Sequence, residues 1–216
     1  MGKGEQTRQE IVRKAAILFN QKGFEGTALS DLMDATGLKK GGIYRHFGSK
    51  EELAAEAFDY AWKTAVAVRA QGVEKHSDSI DQLKQMVRSF VQRRDGLVPG
   101  GCPLLNTAID SDDGNTVLRG RARKAMGEWL GRIRSIAKEG IRNGQIRPKT
   151  DPTKLATLIA GTLEGALMIS RLSKADDPLP WVQQHLEEYL EQLRRRSKRR
   201  AGDRPGSARS IEASSD

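Results

Sequence analysis

"TGLKKGGIYRHFGSKEEL", from Thr36 to Leu53, places two adjacent glycines, Gly41 and Gly42, inside a stretch that otherwise reads as a helix. Each costs about 1 kcal/mol relative to alanine in a helix interior, so the pair needs a reason. On a wheel of about 100° per residue, a helix over 39–47 brings Ile43 and Phe47 together on one face. Gly41, Gly42 and Arg45 fall opposite, with Lys40 and Tyr44 on one flank and His46 on the other. That outward face is almost bare backbone. Such a face can lie very close to another surface, and the cationic and hydroxyl groups around it suit a phosphate-lined groove. A solvated lysine-rich face with a plain glycine loop is the alternative. Just downstream, Ser49 and Glu52 have the S-x-x-E spacing of a capping box and mark the start of a fourth helix.

Upstream, Ile11, Ala15, Leu18 and Phe19 recur with a helical period. Gly23 reads as the left-handed residue that ends this helix, with Phe24 folding back on Phe19. Thr27 is the expected N-cap of a second, short helix carrying Leu29, Leu32 and Met33, and Gly37 breaks that helix. Two short helices joined by a tight glycine turn are the layout of a helix-turn-helix, whose second helix enters the major groove of DNA.

Taken together, "FEGTALSDLMDATGLKKGGIYRHFGSKEEL" closely resembles the DNA-binding domain of TetR-family transcriptional regulators, over about residues 6–55. The resemblance implies that Thr27, Tyr44 and Lys50 hold DNA phosphates. It implies that Lys40, Gly42 and Arg45 lie against bases or their flanking backbone, and Lys39 and Gly41 beside them complete the DNA-binding candidates. In this family the position of Gly42 often carries a small side chain that touches a base, so glycine there shifts readout toward Lys40 and Arg45. His46 matches an aromatic or histidine position, with either a packing or a phosphate role. Lys50, in the first turn of the fourth helix, lies beside free backbone N–H groups that help grip a phosphate.

Beyond this domain the apolar periodicity predicts helices over 50–73, 79–95, 103–110, 115–142, 152–173 and 179–195, with no competing strand pattern. The fold class is all-α. An N-terminal three-helix helix-turn-helix domain (1–50) precedes a helical ligand-binding and dimerisation domain (51–196) and a disordered basic tail (197–216). The helix over 115–142 has the stripe Leu118, Ala122, Ala125, Trp129, Ile133, Ile136, Ile141. The helix over 152–173 is apolar nearly all round. Its apolar stretch, Leu155–Ile169, holds Glu164 and is too short to span a bilayer. The resemblance implies that the last two helices, the final one carrying Trp181, Leu186 and Leu190, pair with their copies in a homodimer; an internal core helix is the alternative. Glu164 is either a pocket group or a paired interface charge.

Cys102 is the only cysteine, which excludes an internal disulfide and makes a reducing cytoplasm the expected location. It precedes Pro103 at a helix start, where the dipole favours a thiolate. It is therefore either an electrophile or redox sensor or a small buried residue. The expected effector is small and largely apolar, lying between the fourth helix and the Cys102 and Trp129 segments. Its candidate contacts are Phe58, Trp62, Cys102, Leu105, Trp129 and Glu164.

The net charge of +9 is unevenly placed. Residues 1–50 carry nine Lys/Arg against five Asp/Glu, and 194–216 carry eight against three, while 51–193 carry twenty of each. Basic ends fit a polyanion partner, and a neutral body fits another task. An enzyme acting through Cys102 lacks a histidine in a recognisable relation to it, and there is no metal spacing, phosphate loop or cofactor motif. A DNA-coating architectural protein does not fit the neutral middle. The reading is a ligand-responsive regulator, a repressor released from a palindromic operator on double-stranded DNA by a small-molecule inducer, with no membrane partner and no metal; the alternative is a thiol-based sensor acting through Cys102.

Overall fold

The computed structural model describes residues 2–92 and 98–195. Their helices are α1 (Lys3–Lys22), α2 (Leu29–Thr36), α3 (Lys40–Tyr44), α4 (Lys50–Arg69), a 3-10 turn (Val73–Lys75), α5 (Ser79–Gln92), α6 (Pro103–Asp110), α7 (Thr116–Arg142), α8 (Pro152–Ser173) and α9 (Pro178–Leu193). The only extended pairing among the described residues is a single bridge between Ile146 and Arg194. The expected end of the fifth helix at 95 and the tail at 197–216 lie outside the described residues.

Two cores form. The first gathers Ile11 and Ala15 of α1, Leu32 of α2, Ile43 and Phe47 around α3, and Leu53, Ala57 and Ala61 of α4. The second fills the body between α4, α5, α7, α8 and α9, with Trp62, Phe90, Trp129, Ile133, Leu163 and Leu186 among its members. Helix α4 serves both cores, because successive faces of one ~30 Å helix turn toward different neighbours. Arg8 of α1 lies 4.6 Å from the Phe47 ring centroid and makes a bidentate ion pair with Glu56 of α4, clamping the first core.

Several helix ends form as their sequences direct. The Ser49 hydroxyl accepts from the Glu52 N–H at 3.0 Å, while the Glu52 carboxylate reaches back to the Gly48 N–H at 2.7 Å. Asp151 accepts from Thr153 and Lys154 ahead of Pro152. Gly23 takes φ 75° and its N–H closes on the Phe19 carbonyl, with the Phe19 and Phe24 rings stacked at 6.1 Å. Its ψ of 173° is extended rather than left-handed helical.

Other expectations need correction. The N-cap of α2 is Ala28, not Thr27: the Asp31 carboxylate accepts from the Ala28 N–H at 2.8 Å, and the Thr27 hydroxyl donates instead to the Gly23 carbonyl at 2.6 Å. Helix α3 spans five residues, with Arg45 as its C-cap, rather than 39–47. Helix α4 ends at Arg69 instead of 73, and Gly72 at φ 80° turns the chain into the 3-10 turn. Helix α8 has 22 residues, so it is long and apolar enough to cross a bilayer by length and composition. Half of its most apolar window is nevertheless buried inside the fold, and Glu164 is among the buried residues.

Candidate nucleic-acid interface and effector cleft

Helix α3 is presented by a short turn. Gly37 adopts the left-handed conformation (φ 71°, ψ 14°), and its N–H caps α2 by donating to the Met33 carbonyl at 2.8 Å. Ile43 and Phe47 anchor the inner side of the α3 segment in the first core. Its outer side leaves Lys39, Lys40, Gly41, Tyr44 and Arg45 exposed, with Gly42 and His46 half-buried.

A Cβ built on Gly41 meets nothing within 4 Å, and one on Gly42 makes only ordinary contact with the Leu38 side chain at 3.4 Å. Both glycines have ordinary helical backbone, so nothing inside the molecule demands them. The Lys40 ammonium lies 6.0 Å from the Tyr44 ring centroid, and the His46 ring leans on Phe47. Lys50, half-buried at the start of α4, lies 4.3 Å from the Phe24 ring centroid. Thr27 differs from the other candidates. It is fully buried and its hydroxyl proton is already committed to Gly23, so its side chain offers no surface to a phosphate.

In the body, a cleft lined by Trp62, Val66, Arg69, Ala70, Met86, Glu128, Trp129 and Arg132 encloses about 600 Å³, including its open mouth. Of the six expected effector contacts, Trp62 and Trp129 line it. Phe58 lines an adjoining surface groove beside α7 that shares Trp62 and Glu128 with the cleft, and Leu105 packs half-buried against the body core. Cys102 and Glu164 are buried and are not among the residues that line this cleft. Cys102 is the N-cap of α6 and is 2% exposed. Burial pushes its thiol up to about 11, a change that the nearby Arg69 charge only partly offsets. Desolvation therefore outweighs the helix dipole and keeps the thiol protonated.

Arg69 carries no sequence-level flag, yet it links these groups. One guanidinium nitrogen lies 3.4 Å from Cys102 Sγ, and its carbon lies 4.3, 5.4 and 5.8 Å from the ring centroids of Phe90, Trp129 and Trp62. Its spacing was the available signal: Phe58, Trp62 and Arg69 recur at i, i+4 and i+11, so the arginine continues an apolar face inward.

The two regions are joined at α6. The Asn106 amide donates to the Asn20 and Gly100 carbonyls, both at 2.9 Å, and the buried Asn20 amide donates to the Pro99 carbonyl at 2.9 Å. The Phe24 N–H donates to Asp110 at 2.7 Å. A Cβ on Gly23 would come within 2.6 Å of that same carboxylate, so glycine is required here by packing as well as by its φ.

Comparison with known proteins agrees with this architecture. Residues 11–57 match the family model described as bacterial regulatory proteins, tetR family, and residues 79–186 match the one described as tetracyclin repressor-like, C-terminal domain. The chain is 30% identical over 194 residues to an uncharacterized HTH-type transcriptional regulator, Rv0196, of Mycobacterium tuberculosis (strain ATCC 25618 / H37Rv), covering 85% of this chain and 93% of the relative. A TetR transcriptional regulator from Chloroflexus aurantiacus J-10-FL superposes with a TM-score of 0.87 at 45% identity, over 91% of this chain and all of that one. A cysteine variant of the TetR-family regulator CifR, solved with a 26 bp double-strand operator DNA, shares the fold at a TM-score of 0.73 and 23% identity, over 83% of this chain and 94% of its own.

Proposed function

Because the chain belongs to the TetR family of bacterial regulatory proteins, we propose that it is a dimeric repressor that leaves a palindromic operator when a small molecule enters the cleft beside Trp62 and Trp129. The DNA-binding character and the regulatory role come with the family, whose members are transcriptional regulators and not enzymes. The repressor sign, the inducer and the residue roles are the proposed part.

The observation that carries the DNA-facing assignment is the outward side of α3. Two glycines stand there with no internal reason, ringed by Lys39, Lys40, Tyr44 and Arg45. Close approach to a groove supplies the reason, and the lost helix propensity is offset by burial of Ile43 and Phe47. Lys40 and Arg45 are the proposed base-side readers. Tyr44, Lys50 and His46 are the proposed phosphate contacts. Thr27 acts indirectly, by tying the start of α2 to the end of α1.

The dimer is supported by an apolar face that the protomer leaves open. Leu158, Met168, Ile169 and Leu172 of α8 are exposed, Leu172 by 79%, as is Trp181 at the start of α9 by 66%. A Cβ on Gly161 or Gly165 would meet nothing, so a partner helix can come close along this face. Leu186 and Leu190, expected at the same interface, are spent on the protomer's own core. The thiol-sensor alternative is disfavoured by the protonated, buried state of Cys102.

The test is duplex binding, with DNA selected from a randomised pool by the full chain, measured with and without a small-molecule library. Release by some compounds, with retained binding in their absence, is the expected result. Sequence-independent binding that no compound alters would contradict it.

A further inference from the structure

Two residues that line the effector cleft carry donor groups that the protein leaves unused. The Trp62 indole N–H and one Arg69 guanidinium nitrogen, Nη1, are buried and have no hydrogen-bond partner. Both residues line the same cleft, and Trp62 is 7% exposed. The other terminal nitrogen of Arg69 meets only a sulfur, a weak acceptor, at 3.4 Å. Among the described residues no carboxylate lies in ion-pair range of Arg69. Unpaired buried donors are costly, and an unpaired donor on a cation is more so. Three aromatic rings hold the guanidinium where it is, so it cannot turn out to solvent without losing those contacts. The remaining wall is apolar at Val66, Ala70 and Met86 with Trp62 and Trp129, and charged at the exposed Glu128 and Arg132, where Glu128 already pairs with Lys124 at 3.9 Å.

Resting on the effector-cleft reading above, we infer that the cleft takes an acidic amphiphile: a monoanion, such as a carboxylate, on an apolar body. The anion accepts from Arg69 Nη1 and from the Trp62 indole N–H, and its apolar portion lies between Val66, Met86 and Trp129. A cationic ligand fits less well, since the aromatic cage already holds a cation, both orphan groups at the cleft are donors, and Glu128, the one carboxylate in the lining, is exposed and paired with Lys124. Glu164 does not reverse this. Its carboxylate oxygens have no hydrogen-bond partner within normal geometry, but Glu164 is buried beside Cys102 and is not among the residues lining the cleft, and burial raises its carboxyl, a rise that the Cys102 thiol and the Arg69 charge only partly offset.

The test is calorimetric titration of the full chain, without DNA, with three probes of one tail length below their micellar concentrations: decanoate, decanol and decyltrimethylammonium. Decanoate should bind about tenfold or more tightly than either of the others. In Arg69→Met, decanoate should fall to the decanol level while decanol itself is unchanged. Arg69→Lys, which keeps the charge but not the fork, should retain part of the preference and serves if the methionine variant folds poorly. Equal binding of the three probes, tightest binding of the ammonium, no binding of any, or a decanoate preference that survives Arg69→Met would each overturn the inference. DNA release is read separately on the same protein. If decanoate binds through Arg69 but DNA stays bound, the repressor-release reading fails and the anion site stands. If other compounds release DNA while decanoate does not bind, the reverse holds.

Discussion

At the scale of single residues, the informative positions are those whose identity the protein's own interior does not explain. Gly41 and Gly42 have space for a side chain and ordinary backbone angles, so their reason lies outside the protomer. Gly42→Leu should therefore leave thermal stability nearly unchanged, because only the flexible Leu38 side chain must give way. It should also reduce operator affinity to the non-specific level, about 10³-fold or more. Wild-type operator affinity in that variant, measured by anisotropy, would remove the close-approach explanation. Glu164 is the opposite kind of residue, an interior group that the interior does not satisfy. Burial raises its carboxyl above the ordinary carboxylate value. The folded chain then holds a proton that the unfolded chain has already released, so stability is greatest below the unfolded value and falls as pH rises toward the folded one. Glu164→Gln removes that dependence. Its melting temperature should gain on wild type between pH 4 and pH 8, and a constant difference across that range would show that Glu164 does not titrate this way.

At the scale of elements, α4 and α6 connect the cleft to the DNA-facing helices. Arg69 closes α4 at the cleft, and Leu53 near its start sits in the first core beside Ile43 and Phe47. Helix α6 begins at Cys102 against Arg69 and ends at Asp110 against Phe24. A ligand that draws Arg69 into the cleft acts on both helices at once, which gives a physical route for shifting the recognition-helix spacing. The latch has a measurable cost. Asn106→Ala, which strands acceptors on Asn20 and Gly100, should destabilise the junction by about 1–3 kcal/mol. Amide exchange should speed up in α6 and the end of α1 while α8 stays protected; uniform acceleration would indicate global loosening instead. The α4 lever was legible in the sequence, because a long helix that starts at Ser49 and carries Phe58 must leave the first domain. The α6 latch was not. Asn20 and Asn106 are 86 residues apart, and a lone asparagine in an amphipathic helix has no local mark of a buried bond. The same contrast runs through the helix ends. Ser49–Glu52 and Asp151–Pro152 are settled by neighbours within four residues. Thr27 does not cap α2 because its hydroxyl turns back to the Gly23 carbonyl while Asp31 takes the Ala28 N–H, and Arg69 stayed hidden because only tertiary packing turns a cation inward.

At the scale of the whole molecule, charge and apolar surface divide the work. The helix-turn-helix end is basic, the body is neutral, and the remaining exposed apolar stripe runs along α8 to Trp181. A single α3 offers five helical residues to a groove, too little surface for tight specific binding, so the account requires two copies. Leu172→Glu combined with Trp181→Glu should yield a folded monomer by sedimentation and lose operator binding without altering α3. A dimer that persists would move the interface elsewhere. Whether two glycine-faced α3 helices read a symmetric site is decided by selecting duplexes from a randomised pool with the full chain and sequencing those retained. The expected product is an inverted repeat whose half-site centres are one helical turn apart or a multiple of it, ~34 Å per turn. Enrichment of a single unpaired half-site, or of no sequence at all, would contradict it.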